Sequence, residues 1–337
     1  MARFNVLDDM GICVLTRDII LFLLDRDRGI FRSGEELAKI AGVSRAAVGK
    51  QVSHMKKEGI PIMSRRSTGY MLPHSADVIV AERLRRGLSG IVDVQIHEYD
   101  EVGSTNDVAG DMARIGAGEW SVVVAETQHA GKGRLGRAWD SQRGGLWLSV
   151  VLRPDMPPRS VPLLSLLAGL SVANTINEHT GLDARVKWPN DVKLNGKKVC
   201  GILSTMSADA QKVHHCVIGI GINVNNPILN DLQGIATSLS QESCGKMGDR
   251  RIVDRTDMLT ILLRIMKTEY DTFQTDNGTS MLKRWRSLSE TLGRNVTVVS
   301  ADSSISGLAM NVDSDGGLII RTPDGETLTV HAGDCLI

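Results

Sequence analysis

Between two runs of β-branched residues, in DVKLNGKKVCGIL, the chain places the dipeptide Asn195-Gly196. A two-residue connection of this kind needs positive φ at both central positions, and it joins antiparallel strands. The neighbouring strand candidates SVVVAE, GLWLSVVL, ARVKWP and VHHCVIGIGINV alternate with a long apolar helix, VPLLSLLAGLSVANTINEH. Alternation alone would fit a doubly wound parallel sheet, but the hairpin requires part of the sheet to be antiparallel. The expected centre of this chain is therefore an α+β domain with a mixed sheet.

Flanking patterns differ from the centre, and 337 residues exceed one ordinary domain. Residues 17–75 read as a winged helix-turn-helix. RDIILFLLD is the first helix, and SGEELAKIAG the second, with a capping box from Ser33 to Glu36 and a stop at Gly42. Ser44 caps the third helix, whose Val48, Val52 and Met55 recur at helical spacing until Gly59. IPIMSRRSTGYML then forms two strands around the turn RSTG. Residues 76–290 hold the central domain. Residues 291–337 carry short strands separated by DSDGG and PDGE, a small β-barrel. Residues 1–16 fit none of these patterns and read as an extension, disordered or preceding a true start at Met10.

Composition excludes several classes. Lys+Arg and Asp+Glu balance at 39 each, so no global field points to nucleic acid or a membrane surface. The five cysteines, Cys13, Cys200, Cys216, Cys244 and Cys335, show no CxxC spacing, which argues against a disulfide framework or a metal site. Acids interrupt the N-terminus where a signal peptide needs an apolar core. VPLLSLLAGLSVANTI is broken by Ser165, Ser171 and Asn174 and falls short of the ~20 apolar residues of a span. A soluble, cytoplasmic protein without membrane contact is expected.

After the strand SVVVAE comes AETQHAGKGRLGRAWDSQRGG, where Gly131, Gly133 and Gly136 alternate with Lys132, Arg134 and Arg137. A solvated turn is one reading of that run. The other is an anion site, in which glycines let backbone N–H groups approach a ligand and the cations supply charge. GxxxxGK[ST] is absent and no GxGxxG opens a helix here, so an unfamiliar phosphate or adenylate site is expected. In KWPNDV, Pro189 and the Asn190-Asp191 pair make a rigid corner holding Lys187 and Asp191. GIGINVNNP ends a strand with Asn223 and Asn225 as neutral hydrogen-bonding groups, or is simply a turn. In GSTND, Ser104 and Thr105 either cap a helix beginning near Asn106 or bind a ligand.

STN, ETQHAGKGRLGR, KWPNDVKLNGKKVCGIL and GIGINVN, in this order, together resemble biotin protein ligase. The winged helix before them and the small barrel after them resemble the three-domain, bifunctional ligase–repressor type, from Arg17 onward. The resemblance implies a class II synthetase-like central domain and an SH3-like C-terminal barrel. It implies an enzyme that joins biotin to ATP, giving biotinyl-5′-AMP, and passes biotin to one lysine of a carboxylase's biotin carboxyl carrier protein or domain. Mg²⁺ would accompany the ATP.

Residue by residue, the resemblance places Ser104, Thr105, Asn106 and Gln128 on the biotin ring. Lys132, Gly133 and Arg134 match the loop over biotin and the adenylate phosphate. Gly131, Arg137, Trp139, Asn190 and Asn223 fall on the ATP side, and Lys187 and Asp191 on the nucleotide and magnesium side. Lys198 matches the catalytic cation at carboxylate and phosphate, with Lys197 a solvated hairpin residue. Two departures stand out: Lys132 replaces the usual first arginine of the loop, and Ser204-Thr205-Met206 carries no acid where the family often has one.

Residues 17–72 hold eleven Lys/Arg against six Asp/Glu, a net +5. Ser44, Arg45, Lys50, Arg65 and Arg66 are the candidate operator contacts, with a homodimer on adenylate binding spanning two half-sites. A scaffold domain with solvated charges is the alternative. For the whole chain the rivals are a lipoate ligase and a ligand-sensing regulator without ligase activity.

Overall fold

The computed structural model describes residues 5–7, 13–91, 93–243, 252–300 and 303–337. Their contacts form two compact units, Met1–Ser89 with Asp254–Asp257, and Gly90–Val253 with Met258–Ile337. Most of the expected N-terminal extension lies outside the described residues, as does Cys244. Two short strands within it, β1 (Asn5–Leu7) and β2 (Cys13–Leu15), pair antiparallel.

The first unit contains α1 (Thr16–Arg26), α2 (Gly34–Ala41), α3 (Arg45–Lys57), the hairpin β3 (Met63–Arg65) and β4 (Gly69–Met71), and α4 (Ala81–Leu88). The helix signals act as their chemistry requires. Ser33 Oγ accepts from Glu36 N at 3.0 Å, and Ser44 Oγ from Ala47 N at 3.2 Å. Only half of the capping box forms, because the Glu36 carboxylate pairs with Arg32 at 2.5 Å instead. Gly42 ends α2 in the left-handed region at φ 65°. Val48, Val52 and Met55 are buried against Leu21, Leu24, Leu37 and Leu72. Beneath this core, Asp25 is bound by both Arg28 and Arg83 at 2.6 Å, and Arg83 also reaches Asp254. Removing one partner of such a buried network leaves an uncompensated charge.

The second unit is built on a seven-stranded sheet. Its strands are β5 (Gln95–Val102), β6 (Ser121–Gln128), β7 (Leu146–Leu152), β8 (Arg185–Lys187), β9 (Asp191–Leu194), β10 (Lys197–Ala208) and β11 (Val213–Ile222). Their spatial order is β5-β6-β7-β11-β10-β9-β8, with β5–β6 parallel and every other pairing antiparallel. The mixed sheet expected from Asn195-Gly196 is therefore present. Both turn residues have positive φ, 48° and 77°.

α5 (Thr105–Arg114) packs on the sheet, as does α6 (Pro162–Thr180). α6 is long and apolar enough to cross a membrane, yet Leu163 to Ala173 are buried in the fold without interruption. It is a core helix. Composition gave no warning of α8 (Arg255–Asp276) and α9 (Thr279–Leu288), which follow the short α7 (Leu239–Glu242).

The C-terminal strands β12 (Asn295–Val299), β13 (Ser304–Val312), β14 (Leu318–Arg321), β15 (Thr327–Val330) and β16 (Asp334–Leu336) form an antiparallel sheet ordered β15-β14-β13-β12-β16. Trp188 fixes this small domain to the central one. Its indole Nε1 donates to Gly316 O at 2.9 Å, and its backbone N–H donates to Thr291 Oγ1 at 2.9 Å. The tryptophan of KWPND is thus a buried tie between domains.

Candidate active site

A cleft of about 320 Å³ opens beside β6, β10 and β11. Its floor is made by small residues. Gly201 on β10 lies opposite Gly221 on β11, and Gly219 follows on the same face. A Cβ at Gly221 would sit 2.5 Å from Trp139 Nε1, one at Gly201 2.9 Å from the Trp139 ring, and one at Gly219 2.4 Å from Asn106 Oδ1. The period-two glycines of GIGI therefore leave room for the Trp139 indole and the Asn106 amide.

At one end stand Ser104, Thr105, Asn106 and Gln128. Ser104 occupies the N-cap position of α5 but makes no side-chain capping bond, so the capping role considered for it is not realised. Gln128 Oε1 accepts from Thr105 N at 2.8 Å and from Thr105 Oγ1 at 3.1 Å. Gln128 Nε2 donates to Ser141 Oγ at 2.8 Å, and Ser141 Oγ donates to Trp139 O at 3.1 Å. This polar end is thereby wired to the base of the glycine–cation loop.

That loop is more ordered than its composition implies. Gln128 bridges to Ser141 and Lys132 to Ala138, so its two arms pair as a hairpin. The tip is a turn at Arg134–Gly136, with Leu135 and Gly136 at φ 56° and 73°. The expectation that the glycines leave N–H groups free is corrected at Gly133, which donates to Arg137 O at 2.7 Å. Gly131 is required by packing, since a Cβ there would meet Trp139 O at 2.4 Å.

Each loop cation has a partner. Lys132 pairs with Asp107 at 2.7 Å. Arg134 donates to Asn190 Oδ1 at 3.1 Å and to Gly333 O at 3.2 Å. Arg137 binds Asp334. Burial pulls the Arg134 guanidinium down, against the pull of Asp334 and Asp191, yet arginine remains a cation at any physiological pH. The Arg137 hydrogen bond holds the Asp334 carboxyl below its usual range. A carboxyl lowered in this way keeps its tie at neutral pH and loses it as pH falls through the lowered value. Asp334→Asn should therefore free the loop at every pH. At pH 7.5, trypsin is expected to cut after Arg134 and Arg137 several-fold faster in this variant. An unchanged rate would mean that the hairpin pairing alone holds the loop.

Between loop and floor stands Lys198. A bulge in the β9–β10 pairing between Lys198 and Cys200 shifts the register there, the usual way a strand re-aims a side chain. Lys198 lines the cleft and Lys197 does not. Lys198 Nζ lies 2.6 Å from Asp191 Oδ1 and 5.1 Å from the centre of the Trp139 ring. Trp139 Nε1 is a buried donor without a hydrogen-bond partner, and Asp191 Oδ1 is met by the Lys198 ion pair alone. An unfilled donor beside an ion pair in one cleft marks a place for a polar ligand.

Arg137, Asn190 and Asn223 complete the polar wall. Two candidates do not line the cleft: Gly131, and Lys187, which pairs across β8–β9 with Asp191. Asn225 faces away and exchanges hydrogen bonds with the backbone of Val253. Sequence reasoning missed Ser141, Ser149 and Asp334. None sits in a motif of its own, although Ser149 is the one hydroxyl in the apolar run LWLSVVL. Burial pushes the Cys216 thiol up to about 12 and Cys335 up to about 11, so neither offers a thiolate nucleophile at neutral pH.

In the first unit, Ser44, Arg45, Lys50, Arg65 and Arg66 are all exposed. Arg65 stacks on Phe31 at 4.8 Å, and Lys56 donates to Ser64 Oγ at 2.9 Å, bracing the hairpin against α3.

Comparison with known proteins gives these features a family. The Biotin/lipoate A/B protein ligase family matches residues 103–223, an HTH domain residues 16–71, and the Biotin protein ligase C terminal domain residues 291–337. The chain is 35% identical to the Bifunctional ligase/repressor BirA of Bacillus subtilis over 88% of this chain and 90% of that one. It is 28% identical to the Escherichia coli protein of the same name, over 87% and 89% of the two chains. Among solved structures, biotin protein ligase from Aquifex aeolicus in complex with biotin and ATP superposes with a TM-score of 0.61 at 30% identity. That match covers 72% of this chain and 97% of the other. With a cleft that gathers the glycine–cation loop, the KWPND corner and the GIGIN strand, and with all three regions matched, this chain belongs to the biotin protein ligase family, in its bifunctional ligase/repressor form.

Proposed function

We propose that this chain activates biotin with ATP and transfers it to a lysine of a biotin carboxyl carrier protein or domain, and that its first unit represses transcription in response to biotin. One observation carries the ligase reading. A neutral polar end (Ser104, Thr105, Asn106, Gln128) and a cationic end (Arg134, Arg137, Lys198) share one cleft. That distribution suits a molecule with an uncharged polar ring at one end and a carboxylate at the other.

In the first step a carboxylate oxygen of biotin attacks the α-phosphorus of ATP. A phosphorus–oxygen bond forms, the bond to the β-phosphate oxygen breaks, and pyrophosphate leaves. The reactants are both anions, so their approach must be screened and aligned. Lys198 sits between them, surrendering its Asp191 contact to do so. Arg134 exchanges its neutral partners, Asn190 and a backbone carbonyl, for phosphate oxygens, and its guanidinium retains the acyl-adenylate. Arg137 is released from Asp334 for the same purpose. Trp139 offers an indole face to the adenine, and Asn190 and Asn223 offer neutral hydrogen bonds to the nucleotide. In the second step the lysine amine attacks the acyl carbon, AMP leaves, and the amine loses a proton.

Asp191, a carboxylate on the cleft wall, would supply an oxygen ligand to a Mg²⁺ ion accompanying the ATP. Among the described residues no group of three His, Cys, Asp or Glu could hold a metal ion. When bound, Mg²⁺ neutralises phosphate charge.

The decisive experiment gives the purified chain Mg·ATP with either biotin or lipoate, then adds a carrier domain and follows pyrophosphate release and mass shift. Biotin-dependent release and transfer are expected. Transfer of lipoate alone would favour the lipoate reading, and no release with either vitamin would leave a ligand-sensing regulator.

For the repressor activity, the exposed cations of α3 and the β3–β4 turn supply phosphate contacts, and a homodimer formed on adenylate binding supplies two half-sites. A cytoplasmic location follows from this pairing of substrates and DNA. Arg66→Ala should weaken binding to DNA selected from a random pool, with biotin and ATP present. Its log–log salt dependence should be shallower by about one. An unaltered slope would remove Arg66 from the interface.

A further inference from the structure

Behind the polar end of the cleft, β7 contributes a fully buried hydroxyl, Ser149. It is not on the wall, yet it touches two residues that are. Ser149 Oγ donates to Thr105 Oγ1 at 2.9 Å and to Asn106 Oδ1 at 2.8 Å. A serine hydroxyl has one hydrogen, so it is divided between two acceptors.

The orientations of its neighbours are fixed independently. Gln128 must point its oxygen at Thr105, because the Thr105 backbone N–H can only donate. The Thr105 hydroxyl hydrogen is then directed to that same oxygen. Asn106 must point Nδ2 at Leu203 O, 3.3 Å away, and this turns its Oδ1 to Ser149. Gly219 makes the arrangement possible, since a Cβ there would displace the Asn106 amide. Gln128 Oε1 thus takes both Thr105 donors, which leaves Thr105 Oγ1, Asn106 Oδ1 and Ser149 Oγ with one hydroxyl hydrogen between them. The cluster is rich in acceptors and short of donors.

We propose that Ser149 is a positioning and specificity-determining residue. By locking Thr105 and Asn106 with their oxygens unsated, it makes the ring end of the cleft select a ligand whose ring carries N–H donors, a cyclic urea rather than a ring without them. The inference rests on the biotin reading of the cleft and adds the physical basis of its choice of ring. A site built around buried polar atoms rejects a ligand that leaves them unpaired. Ser149 acts through Thr105 and Asn106 and does not itself meet the ligand.

The test is calorimetric binding by the full chain of biotin and of a biotin analogue methylated on a ureido nitrogen, with Ser149→Ala, Thr105→Ala and the double variant. Wild type is expected to bind the methylated ring at least tenfold more weakly than biotin. Ser149→Ala should weaken biotin about tenfold and narrow that preference. The double variant should bind biotin within about twofold of Thr105→Ala, because coupled residues do not add. Unchanged affinity in Ser149→Ala, or losses that multiply in the double variant, would overturn the role. A wild-type chain that binds both rings equally would overturn the donor deficit, whatever the variants do. Wild type that binds no biotin would sink the biotin reading itself, and this inference with it.

Discussion

Lys198→Ala is expected to slow formation of biotinyl-adenylate by about 10²- to 10³-fold, the usual effect of deleting one preorganised electrostatic group at a reacting centre. Lys197→Ala should stay within about threefold of wild type. The two lysines are adjacent and chemically identical, so the contrast isolates position. Lys198 reaches the cleft because of the bulge beside it, contacting Asp191 and the Trp139 ring, whereas Lys197 is not on the cleft wall. Single-turnover pyrophosphate release, with biotin affinity measured alongside, reads the effect on the chemical step. Equal losses in both variants would assign the catalytic cation elsewhere. A loss confined to biotin affinity would make Lys198 a binding residue only.

Arg134→Gly is expected to leave adenylate formation active but to release the intermediate about ten- to a hundredfold faster. That is the range of a lost hydrogen bond to a charged group, roughly 1.5–3 kcal/mol. Free acyl-adenylate acylates any exposed lysine, so proteins without a carrier domain should become biotinylated in its presence. Arg134 is held by neutral acceptors, Asn190 Oδ1 and Gly333 O. Both are weak competitors for a guanidinium that can gain a phosphate. A dialysis assay for released adenylate, with a blot of bystander proteins, measures the effect. Retention equal to wild type would contradict the proposed grip of the loop. Lys132, where the family usually has arginine, is paired with Asp107 on the exposed side of the loop. The loss of a guanidinium fork at position 132 thus matters less than the intact Arg134.

How much was legible beforehand differs by kind of feature. Local signals read well: the caps at Ser33 and Ser44, the left-handed Gly42, the turn at Asn195-Gly196 and the apolar spacing of α3 all appear as their short-range chemistry requires. No composition shift announces α8 and α9, and QIHEYDEV, the sequence of β5, lacks the β-branched run of its neighbours.

Within the site, the motifs were recognisable as stretches, and the resemblance to biotin protein ligases rested on them. Their internal logic was not. The glycine–cation loop looked loose, and is a paired hairpin. Trp188, in the middle of the KWPND motif, anchors the C-terminal domain. Ser104 could equally have been a cap, and makes no capping bond.

Sequence by itself determined what depends on neighbours a few residues apart: helix ends, turn geometry, strand alternation and the inventory of charges. Tertiary structure alone decided which of two adjacent lysines faces the cleft, which partner each loop cation holds, and that a serine on β7 would govern a threonine and an asparagine more than forty residues away in the chain. The reason is physical. Hydrogen-bond donors are counted locally, but they are spent across the sheet register, which no short stretch of sequence contains.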